Sequence, residues 1–149
     1  MIAALTGKIF QILSDKIILD VHGVGYEVFL STESLSRMSE KNEEVFLHIY
    51  TQVREDAITL YGFFEEEEKE MFLLLRSVSG IGPKIALGVL SGIKVGELCQ
   101  AIIEKNVKRL TAISGIGKKG AERICVELKD KVGNFEISET FGGTSSGVL

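Results

Sequence analysis

One segment of this 149-residue chain occurs twice, and it constrains the fold more than any other feature. Ser79-Gly80-Ile81-Gly82-Pro83-Lys84-Ile85-Ala86 returns 35 residues later as Ser114-Gly115-Ile116-Gly117-Lys118-Lys119-Gly120-Ala121, with six of the eight positions identical. Each copy follows a short apolar helical stretch and opens another, so each reads as a helix, a Gly-hydrophobic-Gly turn and a second helix. The glycines permit positive φ and leave no side chain in front of a ligand, while the isoleucine between them anchors the turn in a core. At the start of the following helix the backbone N–H groups are unpaired, and the helix dipole favours an anion there. A lysine on the first turn adds a full positive charge. Phosphate is the ligand that suits this arrangement, and two such turns on one small domain can grip two phosphates of a nucleic-acid backbone. The bland alternative is a pair of tight turns between helices. A nucleotide-binding loop is disfavoured further still, because neither copy follows a strand in a βαβ unit and no GxxxxGK[ST] occurs.

The overall charge of −4 argues against a nucleic-acid partner until its distribution is examined. Residues 1–64 carry a net −4, and Glu65-Glu66-Glu67-Glu68-Lys69-Glu70 a further −4, whereas Arg76 to Lys131 carries +6. The duplicated turns lie inside the basic segment. No CxxC pair is formed by Cys99 and Cys125, so two buried thiols in a reducing cytoplasm are expected. His22 and His48 are lone histidines on strand-like stretches and supply no metal site. No apolar run exceeds that of Met71 to Leu75, which is far short of the roughly 20 residues of a membrane span. No secretory signal is read at the N-terminus, and a cytoplasmic location is expected.

The first sixty residues alternate as β-strands. Lys8–Leu13, Lys16–Val21, Tyr26–Leu30, Val45–Tyr50 and Ala57–Tyr61 are expected strands, with turns at Ser14-Asp15 and His22-Gly23-Val24-Gly25 and a short helix at Thr32–Met38. Five short strands suggest a small closed sheet of the OB type. After Gly62 the period becomes helical, with helices expected at Glu65–Val78, Pro83–Leu90, Val95–Lys105, Val107–Ala112 and Lys118–Lys131. Asn106 is placed to end one helix and cap the next. Past Val132 the chain turns Gly/Ser/Thr-rich, and Gly142 to Gly147 reads as mobile coil. The expected organisation is thus an all-β five-stranded OB-type barrel (1–64), an all-α domain with two hairpin turns (65–132) and a flexible linker (133–149).

The paired turns resemble helix-hairpin-helix motifs, and their order after a five-stranded barrel resembles the RuvA family, which binds Holliday junctions. Four stretches carry the resemblance over about residues 1–132: Gly23-Val24-Gly25-Tyr26-Glu27-Val28; Val53-Arg54-Glu55-Asp56-Ala57 leading to Leu60-Tyr61-Gly62-Phe63; Gly80 to Lys84; and Gly115-Ile116-Gly117-Lys118-Lys119 leading to Ala121-Glu122-Arg123. It implies a non-catalytic subunit without cofactor. Such a subunit holds a four-way DNA junction open as a homotetramer, with an octamer left open, for recombination and repair. By residue, it implies DNA contacts from Gly80, Gly82, Lys84, Gly115, Gly117, Lys118, Lys119 and Arg123. It also makes Glu55 and Asp56 an acidic pin at the tetramer centre, with Arg54 beside it attracting the separated strands. The RuvB ATPase and the RuvC resolvase are the implied partners.

There are two departures from the family pattern. Gly120 stands where the second hairpin usually has threonine. Family members also continue into a small helical domain that recruits RuvB, so recruitment is expected to be lost in a chain ending at Leu149. Two other readings compete. A single-strand or general DNA-binding repair module would favour exposed aromatics in a basic barrel groove, yet residues 1–64 are net acidic. A nuclease or glycosylase would need a third group near Glu55 and Asp56, and none is close in sequence.

Overall fold

The computed structural model describes residues 1–38 and 40–148, with side chains described as far as Gly133 and at Phe135. The chain divides into two compact units, Met1–Lys69 and Glu70–Leu149.

In the first unit β1 (Ala4–Ile12), β2 (Lys16–Val21), β3 (Val24–Phe29), β4 (Glu44–Val53) and β5 (Ile58–Phe63) close into a barrel, with α1 (Thr32–Ser36) between β3 and β4. The strand order around the barrel is β1-β2-β3-β5-β4. Every pairing is antiparallel except β3 with β5, which joins Val28 to Leu60 and Phe29 to Tyr61. This order is that of the expected OB-type barrel, and closure leaves no free sheet edge. Alternate residues of each strand point inward, so Leu5, Ile9, Ile17, Leu19, Val28, Leu47, Ile49 and Leu60 form one buried core.

Three strands begin earlier than their alternation suggests, β4 by a single residue at Glu44. β3 starts at Val24 because His22 (φ 52°) and Gly23 (φ 90°) alone make the turn, which the Asp20 carboxylate closes by accepting from the Gly23 N–H at 2.8 Å. Two successive positive φ values are what a tight two-residue hairpin needs. His22 is therefore a turn residue and not a strand residue, while His48 does lie on β4. β1 starts at Ala4, because pairing with β4 recruits Ala4 through Gly7.

The acidic run opens α2 (Glu66–Ser77), and its Glu68 is buried, with 7% of its surface exposed. Glu68 accepts from the Glu65 backbone N–H, an N-terminal capping contact. Burial pushes its carboxyl above the ordinary range; Glu33 and Glu65 add to the rise, and Arg37 opposes it. The native state thus holds this proton more tightly than the unfolded chain does. Stability contributed here is present at low pH and is lost as pH rises through and above the ordinary carboxylate range. Glu68→Gln should raise Tm at pH 7, and the gain should shrink toward pH 4. A thermal melt series across that interval checks this, and a Tm lowered at pH 7 would contradict it.

The second unit contains α3 (Pro83–Gly92), α4 (Val95–Ile103), α5 (Val107–Thr111) and α6 (Lys118–Val148). Proline opens α3 at its first position, where a missing N–H costs nothing. Asn106 caps α5 as expected, its side chain accepting from the Arg109 N–H at 3.1 Å. Leu98, Cys99, Ile102, Leu110, Ile124, Cys125 and Leu128 are buried, and the two cysteines form no disulfide with each other. The buried face of α6 continues past Val132 to Phe135. Its backbone is helical as far as Val148, through the stretch expected to be coil. Once a helix is nucleated each further residue adds a hydrogen bond, and no proline follows Pro83 to interrupt the ladder. Leu149 lies outside the described residues. Among those described, no single helix is long and apolar enough to cross a membrane.

Candidate nucleic-acid interface

The two copies of the repeat fold into the same hairpin. Gly80 has φ +87° and Gly115 φ +92°, both in the left-handed region. Immediately afterwards the Ile81 N–H donates to the Val78 carbonyl at 3.1 Å, and the Ile116 N–H to the Ile113 carbonyl at 3.2 Å. Each isoleucine is 6% exposed and anchors its turn. The following helix begins alike in both: Ala86 N–H to Gly82 carbonyl at 3.0 Å, Ala121 N–H to Gly117 carbonyl at 2.9 Å.

What the hairpins offer a ligand follows from those helix starts. No side chain caps α3 at Gly82, whose φ of −87° and ψ of 178° are extended. The amides of Lys84 and Ile85 precede the first intrahelical donor, and so do those of Lys118, Lys119 and Gly120 at α6. Lys84, Lys118 and Lys119 are exposed. Each hairpin therefore presents unpaired N–H groups, the positive end of a helix dipole and lysine ammonium groups. Such a set suits a phosphate oxygen and carries no means of reading a base.

The four glycines do two different jobs. At Gly115 an added Cβ would touch nothing within 4 Å, so only its left-handed φ demands glycine there. Gly115→Ala should destabilise by about 1–2 kcal/mol in a urea melt. At Gly117 φ lies outside the left-handed region and an added Cβ is equally uncrowded. Gly117→Ala should keep stability within about 0.5 kcal/mol of the parent, yet weaken phosphate-backbone binding because its methyl stands at the mouth. Equal stability losses in the two variants would contradict this division. Gly120 is not forced by space either, since an added Cβ would meet only Ile116 Cγ2 at 4.0 Å.

Arg123 is exposed on α6, and its Nη1 donates to the Ser79 carbonyl of the other hairpin at 3.4 Å. No local pattern signals that contact, since 44 residues separate the partners. The structure thus gathers Gly80, Gly82, Lys84, Gly115, Gly117, Lys118, Lys119 and Arg123 into one helical unit.

Arg54, Glu55 and Asp56 stand in the other unit, at the tip of the β4–β5 hairpin. Val53 pairs with Ile58, and the Arg54 N–H donates to the Ala57 carbonyl at 2.8 Å, which closes the turn. All three side chains are exposed, and so are the flanking Val53 and Ile58. Burial pushes the Tyr61 hydroxyl up; the charge of Arg54 opposes the rise and Tyr50 adds to it. Tyr61 lies between Phe29 and Tyr50, with ring centroids 5.9 and 6.3 Å away, and is 4% exposed. This ladder therefore presents no open central ring for a base to stack on.

Comparison with known proteins agrees with both units. The family model described as RuvA N terminal domain matches residues 1–62, and that described as SAM-like Helix-hairpin-helix tandem matches residues 72–130. The chain is 51% identical over 138 residues to a protein of Pelobacter propionicus, covering 93% of this chain and 69% of that one. It is 48% identical over 147 residues to one of Trichlorobacter lovleyi, covering 99% and 73%. With one of Geobacter sulfurreducens it shares 49% over 138 residues, covering 93% and 69%. All three relatives bear the name Holliday junction branch migration complex subunit RuvA. With that identity over nearly its whole length, the same barrel and the same pair of hairpins, the chain belongs to the RuvA family.

Proposed function

We propose that this protein binds four-way DNA junctions by shape, without reading sequence, and holds them open for branch migration in recombination and repair. The duplicated hairpin carries the reading: on one unit, two hairpins of the same backbone each set unpaired amides beside lysine, which suits phosphates and leaves base edges untouched. A homotetramer supplies the fourfold repetition that a four-armed ligand calls for. In that assembly the exposed Glu55 and Asp56 of each copy meet at the crossover and keep the arms apart, while Arg54 draws the separated strands. The protein performs no bond-breaking step of its own; RuvB and RuvC are the motor and the resolvase that this reading assigns as partners, in the cytoplasm.

A native-gel shift comparing a four-way junction with duplex and single strand of equal length tests the proposal. The junction should be retained at the lowest protein concentration. Equal retention of single strand would favour the competing reading of a single-strand module.

A further inference from the structure

The two hairpins agree in backbone but differ in the residue that flanks them. Under the 35-residue offset of the repeat, Ser79 corresponds to Ser114 and Arg123 to Gly88. On one side, Arg123 reaches from α6 to the Ser79 carbonyl at 3.4 Å, and a Cβ added at Gly80 would lie 3.3 Å from the same nitrogen. The guanidinium therefore lies directly over the left-handed glycine of the first hairpin. On the other side Gly88 has no side chain to send, and a Cβ added there would touch nothing within 4 Å. A pocket of about 430 Å³ opens instead, lined by Gly88, Ser91, Gly92 and Ser114, with Arg109 on its wall. Arg109 is held by Glu97 at 3.3 Å.

From this asymmetry we infer that Arg123 is a positioning residue. It ties the mouth of the first hairpin to the second helix of the second hairpin and so fixes the separation of the two phosphate grips. The reciprocal tie is absent because position 88 is glycine. This inference rests on the phosphate-gripping reading of the hairpins. Arginine suits the task better than lysine. Its planar fork has five donors, so one can hold a carbonyl while the others remain for solvent or phosphate. A single exposed hydrogen bond contributes little to stability. Its effect is expected in spacing, where a small misplacement weakens a ligand that must meet two grips together.

Two measurements test the tie, one on the free protein. Backbone amide spectra of Arg123→Met should show shifts and faster hydrogen exchange at Ser79 to Gly82, 41 or more residues away in sequence. In the parent, Gly80 and Gly82 amides should exchange more slowly than Gly115 and Gly117. Changes confined to α6, or equal exchange in the two hairpins of the parent, would overturn the tie. The second measurement is a pair of double-mutant cycles on junction affinity. Arg123→Met should couple by at least about threefold to Lys84→Ala and to Lys119→Ala alike, because a spacing set by Arg123 acts on both grips. Additivity with both lysines would make Arg123 an independent phosphate contact and overturn the inference. Should the parent itself fail to bind a junction, the phosphate reading would fall, and the free-protein spectra would still decide whether Arg123 holds the first hairpin.

Discussion

Replacing Lys84, Lys118 and Lys119 together by alanine should reduce junction affinity by at least about a hundredfold at physiological salt. All three side chains are exposed at helix starts whose amides are unpaired, so the substitution removes charge and leaves the hairpin backbone in place. The stronger signature is the salt dependence. Each lysine–phosphate contact removed should lower the slope of log affinity against log salt by about one unit, because its released counterions no longer drive binding. In a symmetric tetramer every substitution acts four times, which is why the expected loss is large. The loss should be equal for arms of different sequence, since phosphates carry no base information. Fluorescence anisotropy of labelled junctions between 50 and 300 mM salt measures both quantities. A triple variant binding as tightly as the parent would leave the hairpins as turns and nothing more.

Much of this was legible from the residues, and what was not has physical causes. The hairpins were legible because their chemistry is local: two glycines, a buried isoleucine and a lysine within six residues produce the turn wherever they occur. The barrel was legible as five alternating strands. Its closure through a parallel β3–β5 pair is a long-range pairing that no local alternation encodes. The start of β3 was hidden by the glycines at 23 and 25, of which only Gly23 has a left-handed φ. At the C-terminal stretch composition and backbone differ. Gly142 to Gly147 has weak helix propensity, but propensity is only a prior once a helix has begun upstream. Buried Glu68 was invisible for a related reason, since an acidic run at a helix start reads as solvated and burial is a tertiary fact. The contact of Arg123 with Ser79 spans 44 residues and lies beyond any local window.

Neutralising the β4–β5 hairpin tip, as Glu55→Gln with Asp56→Asn, should leave junction affinity intact or raise it while lowering the preference for junction over linear duplex. The tip is exposed and its turn is held by the Arg54 N–H to Ala57 carbonyl bond, which involves neither acidic side chain, so the fold should survive. Phosphate grips at the hairpins serve any duplex arm equally and cannot alone distinguish four arms from one. Discrimination has to come from where the arms meet. In a tetramer the two carboxylates of each copy give eight at the centre. A continuous duplex lying across that point would bring its phosphates against them, whereas an open crossover parts its strands around them. An unfavourable contact made by the wrong ligand is an effective source of specificity. The repulsion acts between exposed groups and is screened beyond about 8 Å at physiological ionic strength. The parent's preference should therefore narrow as salt rises, and that of the neutral variant should change little. Competition of unlabelled duplex against a labelled junction, at low and at physiological salt, reads both trends. A neutral variant that binds more weakly and keeps its preference would assign the tip a structural role, and the source of junction selectivity would then have to be sought in the spacing of the hairpins.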